Sequence, residues 1–305
     1  MKVSAMRSRF ASDRQLTVRM VGVIFMLGLL YVAFIALLIV LLKSAVLVVV
    51  IIAGILAAQY WYSDKIALFA MHATEVTPEE QAHLHGALDR LCAVADMPKP
   101  RVAVADTDLP NAFATGRNAD HAVLCVTTGL LRRLEPEELD GVLAHELSHV
   151  AHRDVAVITI ASFLGVLAGL LARFAMYSGM LRGRRGNPQV AAIFAAVMAA
   201  SVTVYAVSFL LIRTLSRYRE LAADRSAAEL TGHPSALASA LVKVSGEISR
   251  IPSRDLRTAQ NFNAFFFVPT LGRGRSMSNL FSTHPPLQQR LDALARISAR
   301  LGERD

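Results

Sequence analysis

The chain has 305 residues, enough for one or two domains with a substantial core. Its hydrophobic fraction of 54% is gathered in long blocks, which excludes an ordinary soluble domain and points to a bilayer. The net charge of +8 argues for no nucleic-acid partner, because the basic residues flank those blocks: Arg7, Arg9, Arg14 and Arg19 before the first, Arg213, Arg217 and Arg219 after the last.

Residues 1–18 form a basic arm. From Val18 to Tyr62 the chain is almost wholly apolar, interrupted at Lys43 and Ser44. One spanning helix needs about 20 apolar residues, so the block 19–63 reads as a transmembrane hairpin with a tight turn at Lys43. It is too long for a cleaved signal peptide, and no small-residue cleavage site ends it. Tyr60, Trp61 and Tyr62 mark the far interface as an aromatic belt.

A polar segment, 64–154, reads as the first half of a folded domain. Thr77-Pro78-Glu79-Glu80 has the form of a capping box with Pro at the first helical position. The helix it predicts runs to about Ala95 and buries Leu84, Leu88 and Leu91. Arg101–Ala105 and Ala122–Val126 alternate as strands. Glu135-Pro136-Glu137-Glu138 opens a further helix that continues through Arg153. The two cysteines, Cys92 and Cys125, form no metal pattern and read as reduced core residues. A second hairpin is expected over 155–212, with spans near 155–176 and 191–212. The second half of the domain, 213–305, carries predicted helices near 214–231, 234–250 and 285–300, and a loop at 251–282. Four spans return the chain to its starting side, and the basic arm places that side in the cytoplasm. Arg182, Arg184 and Arg185, between the last two spans, run against that orientation. The fold class is mainly α with a small β-sheet, in a multi-pass membrane protein.

The chemistry lies in His145-Glu146-Leu147-Ser148-His149. On a helix, positions i and i+4 share a face, so both imidazoles can converge on one metal ion. Glu146 lies beside the first and can reach a water at that ion without ligating it. Two nitrogens, a base and an open position are what a zinc hydrolase requires. Glu220 and Asp224 repeat the i, i+4 spacing downstream. One can ligate while the other accepts the free ring N–H of a ligating histidine; paired only with Arg217 and Arg225 they would be a surface ion-pair face. His152, three residues past His149, falls off the shared face and reads as solvated.

Two apolar spans, the His145–His149 motif, two further spans and then Glu220–Asp224 resemble the HtpX-type membrane metalloproteases, relatives of the CAAX prenyl protease. The likeness covers about residues 20–297 and includes Asn111-Ala112-Phe113-Ala114-Thr115-Gly116 and Thr283-His284-Pro285-Pro286-Leu287. It implies one zinc ion per chain on His145, His149 and Glu220, with Asp224 as second partner and Glu146 as base. It also implies that Asn111, Ala112 and Phe113 pair with substrate backbone, and that His284 and Arg290 steady the oxyanion. The domain would be a zincin-like protease facing the cytoplasm from the bacterial cytoplasmic membrane, cleaving misfolded or damaged membrane proteins under stress. Two rivals stand beside it: a CAAX-type peptidase acting on lipidated tails, and a zinc-binding membrane scaffold without turnover.

Overall fold

The structure, a computed structural model, describes residues 14–42, 45–152, 188–250 and 285–302. The expected turn at Lys43, the span 155–176, the loop 251–282 and His284 lie outside these. The chain divides into two compact units.

One unit comprises residues 17–62 and 156–215. Here α1 (Arg14–Leu42), α2 (Ala45–Trp61) and the first part of α7 (Pro188–Thr231) are built from apolar residues. Val18, Phe25, Val32 and Val40 on α1 are each more than 60% exposed. A helix apolar on all sides needs either a protein interior or lipid around it. By length and composition, α1 and α7 are the two described helices able to cross a membrane. α7 is one helix of 44 residues, where two were expected from the change in composition near Arg213. The shift from apolar to charged residues marks a change of surroundings and leaves the backbone unbroken. After Pro188 at the first helical position, no Gly or Pro occurs until Gly232, which follows the helix with φ +73°.

The other unit comprises residues 1–16, 63–155 and 216–305. It is organised by a four-stranded mixed sheet in the order β1-β2-β4-β3: β1 (Ala73–Glu75), β2 (Arg101–Ala105), β3 (Ala112–Thr115) and β4 (Val123–Thr127). β2 and β4 run parallel, and β3 pairs antiparallel with β4 at the edge. Both faces of the sheet are covered. Val102, Val104, Leu124 and Val126 join the main core with α4 (Ala82–Ala95), the short α5 (Thr128–Leu131) and α6 (Pro136–Ala151). Ala103, Ala105, Val123 and Cys125 face the other way, against Ala67 of α3 (Ser63–Ala70). Cys92 and Cys125 thus lie in separate cores, and burial pushes their thiols up to about 11 and 12.

Helix α4 starts at Ala82, later than the box at Thr77 predicts. The reciprocal bond forms, with the Thr77 N–H donating to Glu80 Oε2 at 2.8 Å, but it closes a single isolated turn. Gln81 then leaves helical geometry at φ −136°, ψ 59°. Val76 is held to β2 by its bond to the Val102 carbonyl, so the chain must bend before it can lie over the sheet. Leu84, Leu88 and Leu91 are buried as the periodicity predicts.

Helix α6 begins at Pro136, and Glu138 Oε2 accepts the Glu135 N–H at 2.9 Å. The same carboxylate reaches α8 (Pro234–Arg250), accepting Ser239 Oγ at 2.6 Å and Lys243 Nζ at 2.7 Å. Gly141 permits this approach, since a Cβ there would sit 3.3 Å from Leu237 Cα. Burial works against the Glu138 anion, but Lys243, Ser239 and the Glu135 amide outweigh it and hold its pKa below 4.5. Glu138→Ala is expected to cost about 2 kcal/mol, the sum of one cap and one charge-assisted bond. Because the folded pKa is depressed, this stability is present above the usual value of 4.5 and is lost as pH falls through the folded value. Thermal unfolding of parent and variant in detergent should therefore differ at neutral pH and converge in acid. Helix α9 (Leu287–Gly302) closes the core with Leu294 and Ile297.

Candidate metal centre

Three helices and the edge strand meet around His145. Both imidazoles come from α6, one turn apart, with ring centroids 4.9 Å apart and planes at 88°. Val142, Leu143 and Val150 bury the rest of that helix in the main core. Glu220 and Asp224 come from α7, where Ala227 and Ala228 anchor the same helix in that core. Arg290 comes from α9. All six charged or ring side chains of the centre, Glu146 included, are buried.

The two imidazoles and the Glu220 carboxylate form a triangle of donor groups. His145 Nε2 lies 3.2 Å from His149 Nε2 and 3.4 Å from Glu220 Oε2, and His149 Nε2 lies 3.5 Å from Glu220 Oε1. A tetrahedral ion with ligands at about 2.0–2.1 Å holds its donors about 3.3 Å apart. The three separations lie near that edge length, with the two at Glu220 ending on its two different carboxylate oxygens, and one ligand atom from each residue lies within 4.8 Å of the others. Among the described residues, these three are the His, Cys, Asp or Glu group able to hold a metal ion.

Behind the triangle, Asp224 Oδ1 lies 3.0 Å from His145 Nδ1. A carboxylate this close to Nδ1 favours the tautomer protonated there, which leaves the Nε2 lone pair facing the other two donors. Burial disfavours the His145 imidazolium, but Asp224 and Glu220 outweigh it and lift the pKa to about 9. The protein groups alone therefore favour a positive charge at this point, whether proton or metal.

Glu146 points to the edge strand, where its Oε2 accepts the Ala114 N–H at 3.0 Å. Burial pushes its pKa up to about 7; His145 opposes the rise and Glu220 adds to it.

Arg290, expected as an oxyanion donor, is bound to the carboxylates of α7. Its Nε donates to Asp224 Oδ2 at 2.8 Å and its Nη2 to Asp224 Oδ1 at 2.6 Å, while Nη1 lies 3.9 Å from Glu220 Oε2. Those bonds hold it against the two carboxylates of α7. Asn111 is buried just ahead of β3. Its N–H donates to Thr127 Oγ1 at 2.9 Å and its carbonyl accepts from the Thr127 N–H at 3.0 Å. Alternation along the ladder then turns Phe113 inward and leaves the backbones of Ala112 and Ala114 facing away from β4. His152 is half-buried at the end of α6, with Nδ1 2.8 Å from the Ser148 carbonyl, in place of a solvated position.

Two neighbours of the centre escape a reading of the sequence. Ala114 acts through its backbone, so no residue type announces it. Arg219, buried with Nη2 3.4 Å from His149 Nδ1, sits one residue before Glu220, and only that adjacency hinted at it.

The family model for peptidase family M48 matches residues 78–298, which include every residue of this centre. The chain belongs to peptidase family M48. It is a metalloprotease, and its apolar helices fit a membrane location. Among M48 relatives it is 67% identical over 298 residues to Protease HtpX homolog 1 of Streptomyces coelicolor, covering 98% of each chain. It is 49% identical over 300 residues to the Protease HtpX homolog of Moorella thermoacetica, covering 98% of this chain and all of the relative. Among solved structures, Ste24p of S. mikatae shares the fold, with a TM-score of 0.52 at 18% identity. That match covers 92% of this chain, which spans 66% of that one.

Proposed function

We propose that the protein is a zinc-dependent endopeptidase of the bacterial cytoplasmic membrane, multi-pass, with its centre facing the cytoplasm, that cleaves misfolded or damaged membrane proteins. The observation that carries the metal assignment is the donor triangle of His145, His149 and Glu220, whose sides suit a tetrahedral zinc ion. Zinc held there would supply a Lewis acid for the scissile carbonyl and the attacking water.

The remaining work falls to the chain. Asp224 fixes the His145 tautomer, and Arg290 holds Asp224. Glu146 takes a proton from the attacking water and hands it to the leaving amine. Its bond to Ala114 aims the carboxylate along the edge strand. Substrate backbone pairs with β3 through the outward groups of Ala112, next to Asn111 and Phe113, and so lies across Glu146. The relatives named HtpX support a role in quality control, and the basic arm before α1 supports the cytoplasmic side.

Chelation tests this reading. Casein cleavage by the purified protein in detergent should disappear with phenanthroline and return when zinc is added back. Elemental analysis should find one zinc ion per chain. Cleavage that survives complete removal of metal would end the proposal.

A further inference from the structure

The two imidazoles of the centre have neighbours of opposite charge at their outer nitrogens. Asp224 Oδ1 lies 3.0 Å from His145 Nδ1, whereas Arg219 Nη2 lies 3.4 Å from His149 Nδ1. Both neighbours come from α7, in the part that belongs to the same unit as the histidines. Arg219 directly precedes Glu220, and consecutive helical residues point about 100° apart. The turn that brings the Glu220 carboxylate to the triangle therefore sets a guanidinium on the outer side of His149. Arg219 is 4% exposed, so water does little to screen its charge.

A neutral histidine that ligates through Nε2 carries its proton on Nδ1, and an acceptor at that proton strengthens the ring as a donor. Asp224 is such a group for His145. Arginine has N–H donors and no acceptor, so a hydrogen bond between Arg219 and His149 runs from the guanidinium to the Nδ1 lone pair. That bond favours the proton on Nε2, the nitrogen that faces His145 and Glu220. Ligation through Nε2 moves the proton to Nδ1, towards a positive charge. Arg219 opposes at one ring what Asp224 promotes at the other.

We infer that Arg219 is a positioning residue of the centre that makes His149 the weaker of its two imidazole donors. The inference rests on the reading of His145, His149 and Glu220 as a zinc site. A weaker donor leaves the ion more of its charge, which favours Lewis acidity over tight retention.

Zinc affinity tests this without reference to turnover. Parent, Arg219→Gln and Arg219→Lys, each stripped with chelator in detergent, would be titrated with zinc against a chromophoric competitor. Removing the charge should tighten zinc about tenfold in Arg219→Gln, the lower end of what outer partners of metal ligands control. Arg219→Lys keeps the charge and should stay close to the parent. A purely structural role has the opposite sign, because zinc would weaken once the ring lost its support. Weaker or unchanged zinc in Arg219→Gln overturns the inference, as does equal tightening in Arg219→Lys. A parent that takes up no zinc brings down the zinc reading itself, and the inference with it. Where the arginine variants do not fold, His145→Ala and His149→Ala decide the matter by the same titration. Loss of His149 should cost about tenfold less zinc affinity than loss of His145. An equal or larger cost at His149 would sink the inference.

Discussion

Glu146→Gln is expected to keep its metal and lose about a thousandfold in peptide cleavage, the range removed with a general base. The amide retains the shape of the carboxylate and can still accept the Ala114 N–H, so the fold around the centre should persist. What it cannot do is take a proton from water. Glu220→Ala should give the opposite result: one of the three donors is lost, and zinc content falls with activity. Both variants remove a buried carboxylate of the same centre, Glu146→Gln leaving an isosteric amide and Glu220→Ala leaving no donor. Elemental analysis and a casein assay on each would show the split. A Glu146→Gln protein that cleaves as fast as the parent would remove Glu146 as base, and a Glu220→Ala protein with full zinc would remove Glu220 as ligand.

The contrast between those two carboxylates shows which parts of the centre a sequence can disclose. The spacing of His145 and His149 is a local property of a helix, so their convergence follows from periodicity. Glu220 lies far along the chain, and its spacing to Asp224 was equally compatible with a surface ion-pair face; tertiary packing of α7 on α6 decides where it points. Arg290 shows the limit more sharply. Its residue type suits an oxyanion donor as well as a buried counter-ion, and only tertiary packing brings out its two bonds to Asp224. Among the elements, β2 spans Arg101–Ala105 as its alternation predicts. Strand β3, by contrast, is four residues of Ala, Phe, Ala and Thr whose strand character comes from pairing with β4. The late start of α4 has the same cause, because a correct local capping signal was overridden by the anchoring of Val76 to β2.

The largest effect on stability is expected at Arg290. Asp224 and Arg290 are both almost fully buried, and the guanidinium is joined to the carboxylate through Nε and Nη2. Arg290→Met leaves Asp224, Glu220 and Glu146 together without that cation. Breaking a buried pair from one side costs about 3–5 kcal/mol, because the remaining charge has neither water nor a partner. The Asp224→Asn, Arg290→Met double variant should recover much of this loss, since no uncompensated charge remains on that side of His145. Metal changes the outcome in a defined direction. A divalent ion bound only by the folded protein stabilises it through mass action and also screens the two carboxylates nearest Arg290. The gap between parent and Arg290→Met should therefore be widest in chelator and shrink with added zinc. Thermal unfolding in detergent, with chelator and with zinc, reads all three proteins on one scale. Equal midpoints for the parent and Arg290→Met in chelator would show that the carboxylates tolerate burial without the arginine, and its place behind Asp224 would then need another explanation.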